Sequence, residues 1–204
     1  MKRNNKGFTL IELIVCILIL SMISGIIVMF VSSSVNSYNV IYNEVNMQTE
    51  ADVAMTYINE LAIEAKDYKS TGAFVNSMGA VCTALCMEAP DNSGVDIDAY
   101  YIIWHQSNDN TMRFIRLSKN DSALIPLLGL SDINGVRDID VSRTLEGLNV
   151  YNSNSSFLCK YVTEFVAIPP TDPDTFPVLQ VQISLEFAGS TFRASKNIAS
   201  RNLS

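Results

Sequence analysis

The chain opens MKRNNKGFTLIELIVCILIL over residues 1–20, with Lys2, Arg3 and Lys6 ahead of Gly7. From residue 8 to residue 31 the only charge is Glu12. Leu13 to Val31 is uncharged throughout, and at ~1.5 Å per residue it suffices for one membrane-spanning helix. Cations before such a run stay on the cytoplasmic side and place the rest of the chain outside. Two ordinary readings fit this layout. One is a secretory signal cut near Val31-Ser32-Ser33-Ser34, but the apolar run is longer than the ~7–15 residues such signals use. The other is a plain single-pass anchor, which accounts for length and flanks and leaves Glu12 unexplained. A carboxylate inside an apolar segment is unfavourable even near the membrane edge, and such residues usually have a partner.

Gly7-Phe8-Thr9-Leu10-Ile11-Glu12 resembles the signal of type IV prepilins and pseudopilins: a short basic leader, glycine, phenylalanine, glutamate four residues on, then an apolar helix. The resemblance implies that a prepilin peptidase cuts between Gly7 and Phe8 and that the new Phe8 amine is N-methylated. It also implies a role for Glu12 in subunit assembly, pairing with the Phe8 ammonium of a neighbour. Many major pilins break this helix with a proline at the position held here by Met29, and no proline occurs before Pro90.

Beyond the membrane segment, Val35, Tyr38, Ile41 or Tyr42, and Val45 recur at helical spacing, and Ala54, Ile58, Leu61 and Ala65 resume it. This predicts an amphipathic continuation of the same helix to about residue 66. Its C-terminal half is expected in the core of the following domain and its N-terminal half against other subunits. From residue 67 the pattern changes. Residues 99–105 and 111–117 read as two strands of a hairpin, with the polar turn Gln106-Ser107-Asn108-Asp109-Asn110 between them. Further strands are expected at 157–168, 178–187 and 191–195. Four of the six prolines fall in residues 169–177, an expected exposed loop. The organisation is therefore a cleaved leader at 1–7, a transmembrane helix at 8–31, its amphipathic continuation at 32–66, and a β-rich head at 67–204. The fold class is α+β, a long N-terminal helix packed against a C-terminal antiparallel sheet.

The formal net charge is −7, and loss of the three leader cations makes it −10, which disfavours nucleic acid as a general partner. Cys16 lies in the apolar run, leaving Cys82, Cys86 and Cys159 for at most one bridge, expected to join Cys159 to one of the other two. No nucleophile elbow, P-loop or dinucleotide fingerprint is present. His105, the sole histidine, reads as a satisfied residue at a strand end, and Arg113 and Arg116 as solvated strand residues. A zinc site from Cys82, Cys86, Cys159 and His105 is the weaker reading of those residues. The run Asp91-Asn92-Ser93-Gly94-Val95-Asp96-Ile97-Asp98 carries oxygen ligands of the kind calcium prefers, yet without EF-hand spacing, and reads as a turn. No metal, cofactor or catalytic residue is assigned.

The expectation is a non-enzymatic minor pilin or pseudopilin subunit of a filament serving pilus assembly, type II secretion or DNA uptake by competent cells. Its partners would be prepilin peptidase, other pilin subunits, the inner assembly machinery and membrane lipid. It would sit in the cell membrane with the head outside, and then in a pilus or pseudopilus. A membrane-anchored extracytoplasmic sensor or ligand-binding domain is the alternative.

Overall fold

The computed structural model describes residues 9–90, 97–118, 139–148, 155–170 and 178–201. The apolar N-terminal pattern folds as one helix, α1 (Leu10–Glu64), with no interruption at Gly25, Met29 or the serines 32–34. It is long and apolar enough to cross a membrane. Two serine hydroxyls in its first part bond to the helix itself: Ser21 Oγ donates to the Leu18 carbonyl and Ser24 Oγ to that of Leu20, both at 2.8 Å. That back-bonding removes the cost of placing a hydroxyl in hydrocarbon.

The chain divides into two compact units, Met1–Asn43 and Glu44–Ser204. In the second, eight strands form two antiparallel sheets. The first has five strands in sequence order: β1 (Tyr68–Val75), β2 (Val81–Pro90), β3 (Ile97–Gln106), β4 (Thr111–Ser118) and β5 (Ser156–Lys160). The second has three: β6 (Val162–Ile168), β7 (Val178–Phe187) and β8 (Ser190–Ala199). A short helix, α2 (Val141–Gly147), is capped by Asp140, whose Oδ1 accepts from the Arg143 N–H at 3.1 Å.

Two cores lie on opposite faces of the first sheet. On one face Met47, Ala51, Ala54, Ile58 and Ala62 of α1 meet Leu85, Met87, Ile103 and Met112, together with Phe165, Val181, Ile183 and Leu185 of the second sheet. On the other, Val141 and Leu145 of α2 and Ile139 cover Cys82, Ala84, Cys86, Ile102 and Trp104. The α+β architecture is the one expected. The buried stripe of α1 starts earlier than expected, at Met47 and Ala51, and passes through Ala62, with Leu61 half-buried beside it.

Several expected elements change. The strand expected at 157–168 is two strands in two sheets, because Tyr161 takes a positive φ of 65°. There the Val162 N–H turns to the Asn110 carbonyl (2.8 Å) and the Tyr161 carbonyl accepts from the Glu186 N–H (2.8 Å). The last strand continues to Ala199, and β1, β2 and α2 were not expected. No bridge joins Cys159 to Cys82 or Cys86: all three are free, and the sheet separates them. Cys159 faces the α1 core, whereas Cys82 and Cys86 face the α2 core. Their i, i+4 spacing on an extended strand puts Cys82 and Cys86 about 13 Å apart, beyond disulfide reach.

Candidate functional site

The start of α1 is built from a four-residue spacing, Thr9-x-x-Glu12. Thr9 is the last residue before the helix, and its carbonyl takes the first helical bond, from the Leu13 N–H at 3.3 Å. The Thr9 backbone N–H and Thr9 Oγ1 both donate to Glu12 Oε2 at 2.9 Å, and the Glu12 N–H points back to Thr9 Oγ1 at 3.4 Å. This is a reciprocal capping box, which satisfies donors that every helix start leaves without partners. Both bonds land on one carboxylate oxygen, Oε2. Leu10, Ile11 and Leu13 around it are exposed in the single chain. The arrangement holds an anionic oxygen at the head of an apolar helix, aimed by a neighbour three residues closer to the expected cut.

Gly7 and Phe8 lie outside the described residues, so of the predicted site residues Glu12 alone is seen in place. Thr9 is the residue the sequence reading missed. A threonine three positions before a glutamate at the head of an apolar run is the signal that could have found it.

Residues 2–28 match the family model described as the prokaryotic N-terminal methylation motif. The amino-terminal segment is a type IV prepilin-like signal. The matched region holds Gly7, Phe8, Thr9 and Glu12 and the first part of α1. Such a signal implies processing by prepilin peptidase, assembly with other pilins and a membrane-anchored subunit, and it points to a structural part rather than an enzyme. Neither the curated proteins nor the solved structures gave a match to the chain.

The residues weighed for other chemistry are occupied structurally. His105 is buried, with its Nε2–H donating to the Val162 carbonyl at 2.9 Å, where the two sheets meet. Burial pulls its pKa below the ordinary histidine value, while that hydrogen bond and Asp109 act the other way. Thr83 makes a second tie between the sheets, from Oγ1 to the Phe165 carbonyl at 3.1 Å. Arg113 pairs with Asp109 at 3.2 Å across the β3–β4 turn. Burial pushes the Cys82 thiol up to about 11, and burial with Glu50 pushes Cys159 to about 12. Neither is a thiolate nucleophile near neutral pH. Among the described residues no group of His, Cys, Asp and Glu is placed to hold a metal. Of the run weighed for calcium, residues 91–96 lie outside the described residues, as do 171–177 of the proline-rich loop.

Proposed function

We propose that the chain is a minor pilin or pseudopilin subunit, cut between Gly7 and Phe8, methylated on the Phe8 amine, and drawn from the membrane into a short filament. The filament would serve pilus assembly, type II secretion or DNA uptake, with the head outside the cytoplasm. The observation that carries this reading is the juxtaposition of the prepilin-like signal with an unbroken apolar helix whose first turn fixes the Glu12 carboxylate. Cutting at Gly7 leaves an ammonium on Phe8. In the filament Glu12 meets that group of a neighbouring subunit. In low dielectric the attraction between the two charges is much larger than in water, and each relieves the other's burial. Thr9 supports this by holding the carboxylate at the helix start through Oε2.

The test is the mature N-terminus. Mass spectrometry of the protein from its membrane should find N-methylated Phe8 as the first residue. Gly7→Val should leave the leader attached, because a bond cut at the membrane face needs an unhindered, extended backbone that glycine supplies. An intact Met1, or a cut near Ser32, would overturn the reading in favour of an anchored or secreted domain.

A further inference from the structure

The outer strands of the two sheets are β1 and β5 in the first and β6 and β8 in the second. Three of these edges are closed to further pairing. β1 is bent by a bulge after Thr71, whose Oγ1 accepts from the Ala84 N–H at 3.0 Å and donates to the Ala84 carbonyl at 3.2 Å. β5 has five residues and a register shift, and its Lys160 N–H donates to Glu50 Oε2 at 3.2 Å. β6 turns its free edge to the first sheet, where His105 and Thr83 occupy the Val162 and Phe165 carbonyls. β8 is different. Its ten residues pair with β7 without a register shift, and they include neither proline nor glycine.

The two-residue turn at Ala188 and Gly189 decides which backbone groups of β8 are used. Phe187 and Ser190 close the hairpin as a hydrogen-bonded pair, so every second residue from Ser190 to Ile198 points its N–H and C=O at β7. Those of Thr191, Arg193, Ser195, Asn197 and Ala199 point away, along about 27 Å of edge. Apart from the half-buried Phe192 and Ala194, residues 191–197 are exposed, and among the described residues no hydrogen bond is made to this edge.

Edge strands are normally blunted, and charge is one of the means. β8 carries two cations and no acid: Arg193 stands on the outer face of the sheet and Lys196 on the face of Phe192 and Ala194. Among the described residues neither has an ion-pair partner. These charges leave the backbone open but decide what can use it. Two copies of β8, paired antiparallel along most of their length, set Arg193 or Lys196 opposite or diagonal to its own counterpart in every register. A strand that relieves both cations has acids three positions apart, with apolar residues facing Phe192 and Ala194. Antiparallel to β8, it reads acid, any residue, apolar, acid, apolar. This chain holds no such stretch. Its acids stand three apart only at Glu64/Asp67 and Glu88/Asp91, where Lys66 and Pro90 fill the position between that should be apolar and able to donate to a ladder.

We propose that β8 is a docking edge that takes an extended segment of another protein by strand addition, with acidic residues three apart opposite Arg193 and Lys196. β8 belongs to the head, so the edge works whether or not the chain is cut at Gly7.

Amide hydrogen exchange of the full-length protein in detergent micelles tests this, with a synthetic eight-residue peptide as the probe. The peptide has two glutamates three apart, a valine on each side of the second, and threonine elsewhere. At about 2 mM, a Kd of ~1 mM or tighter should slow the amides of Thr191, Arg193, Ser195 and Asn197 at least about threefold. Those of Phe192, Ala194 and Lys196, already bonded to β7, should stay protected throughout and report that the hairpin is folded. Arg193→Glu with Lys196→Glu should lose the response to this peptide and gain it for one with lysines in place of the glutamates. Ser195→Pro removes an outward N–H that β7 does not use, and should abolish the slowing while the hairpin stays protected. No slowing in the wild type, or equal slowing by the lysine peptide, overturns the proposal. Slowing that survives Ser195→Pro does so too, by showing attachment through side chains alone. Protection of the four amides without peptide, rising with protein concentration, overturns it in favour of a second copy on the edge.

Discussion

Ala188 and Gly189 form the two-residue turn between β7 and β8, with φ of 51° and 82°. Two positive values in succession are what a right-twisted hairpin asks of such a turn, and asparagine followed by glycine meets them with least strain. Alanine does not: its Cβ crowds the carbonyl in the left-handed region, at a cost of roughly 1–2 kcal/mol. Ala188→Asn should therefore raise stability by about 0.5–1 kcal/mol, measured by chemical denaturation of the wild-type and variant chains. A loss of stability would mean the turn has another conformation. At this scale the sequence told part of the story. His105 was legible as a satisfied strand residue because no partner for catalysis accompanied it. Its actual partner, the carbonyl of Val162, was not, since backbone acceptors leave no mark in side-chain patterns. The positive φ at Tyr161 was equally hidden, because a tyrosine in that conformation is chosen by the fold around it and not by its own preference.

Among the elements, α1 ends without help from its own last turn. No basic residue lies there, and no glycine closes it. The orphan carbonyls are instead taken by residues that arrive from elsewhere. Tyr68 OH donates to Ala62, the Arg201 N–H to Ile63 at 2.9 Å, and Ser200 Oγ to Ala65 at 2.7 Å. The end of β8 thus caps a helix more than a hundred residues earlier in the chain. Ser200→Ala should cost about 1 kcal/mol, and amide exchange should quicken over residues 60–66 while the β2–β3 ladder stays protected. Uniform acceleration across the head would show that Ser200 supports the whole unit instead of the helix end. The same elements explain which parts of the fold could be read in advance. β7 alternates apolar and polar residues because one face is buried, and β3 and β4 flank a polar turn, so both patterns stand out. β2 is buried on both faces, with Cys82, Ala84 and Cys86 toward α2 and Leu85 and Met87 toward α1, which erases alternation. β5 and β6 run together in sequence because both are strand-like, and only their sheet membership separates them.

For the molecule as a whole, the question is whether Glu12 serves the helix start or the meeting of subunits. The capping box makes the first answer sufficient for a lone chain: Thr9 satisfies the carboxylate, and the carboxylate satisfies Thr9. The two answers part when the charge is removed but the acceptor kept. Glu12→Gln retains an amide oxygen that can accept from the Thr9 N–H and hydroxyl, so the cap survives. It cannot offer a full negative charge to a neighbour's Phe8 ammonium, which would then enter the filament without its counter-charge. Thr9→Val does the reverse, since it removes the hydroxyl, keeps the backbone N–H and leaves the carboxylate ionised. If assembly is what holds Glu12 in place, Glu12→Gln should be cut after Gly7 and stay in the membrane. Its recovery with filament partners after crosslinking should fall at least about tenfold, because losing one member of a buried pair strands the other. Thr9→Val should be recovered at near wild-type yield. Equal recovery of Glu12→Gln and wild type would assign the residue to the cap alone. A loss in Thr9→Val as deep as that in Glu12→Gln would instead make the aimed geometry of the carboxylate as necessary as its charge.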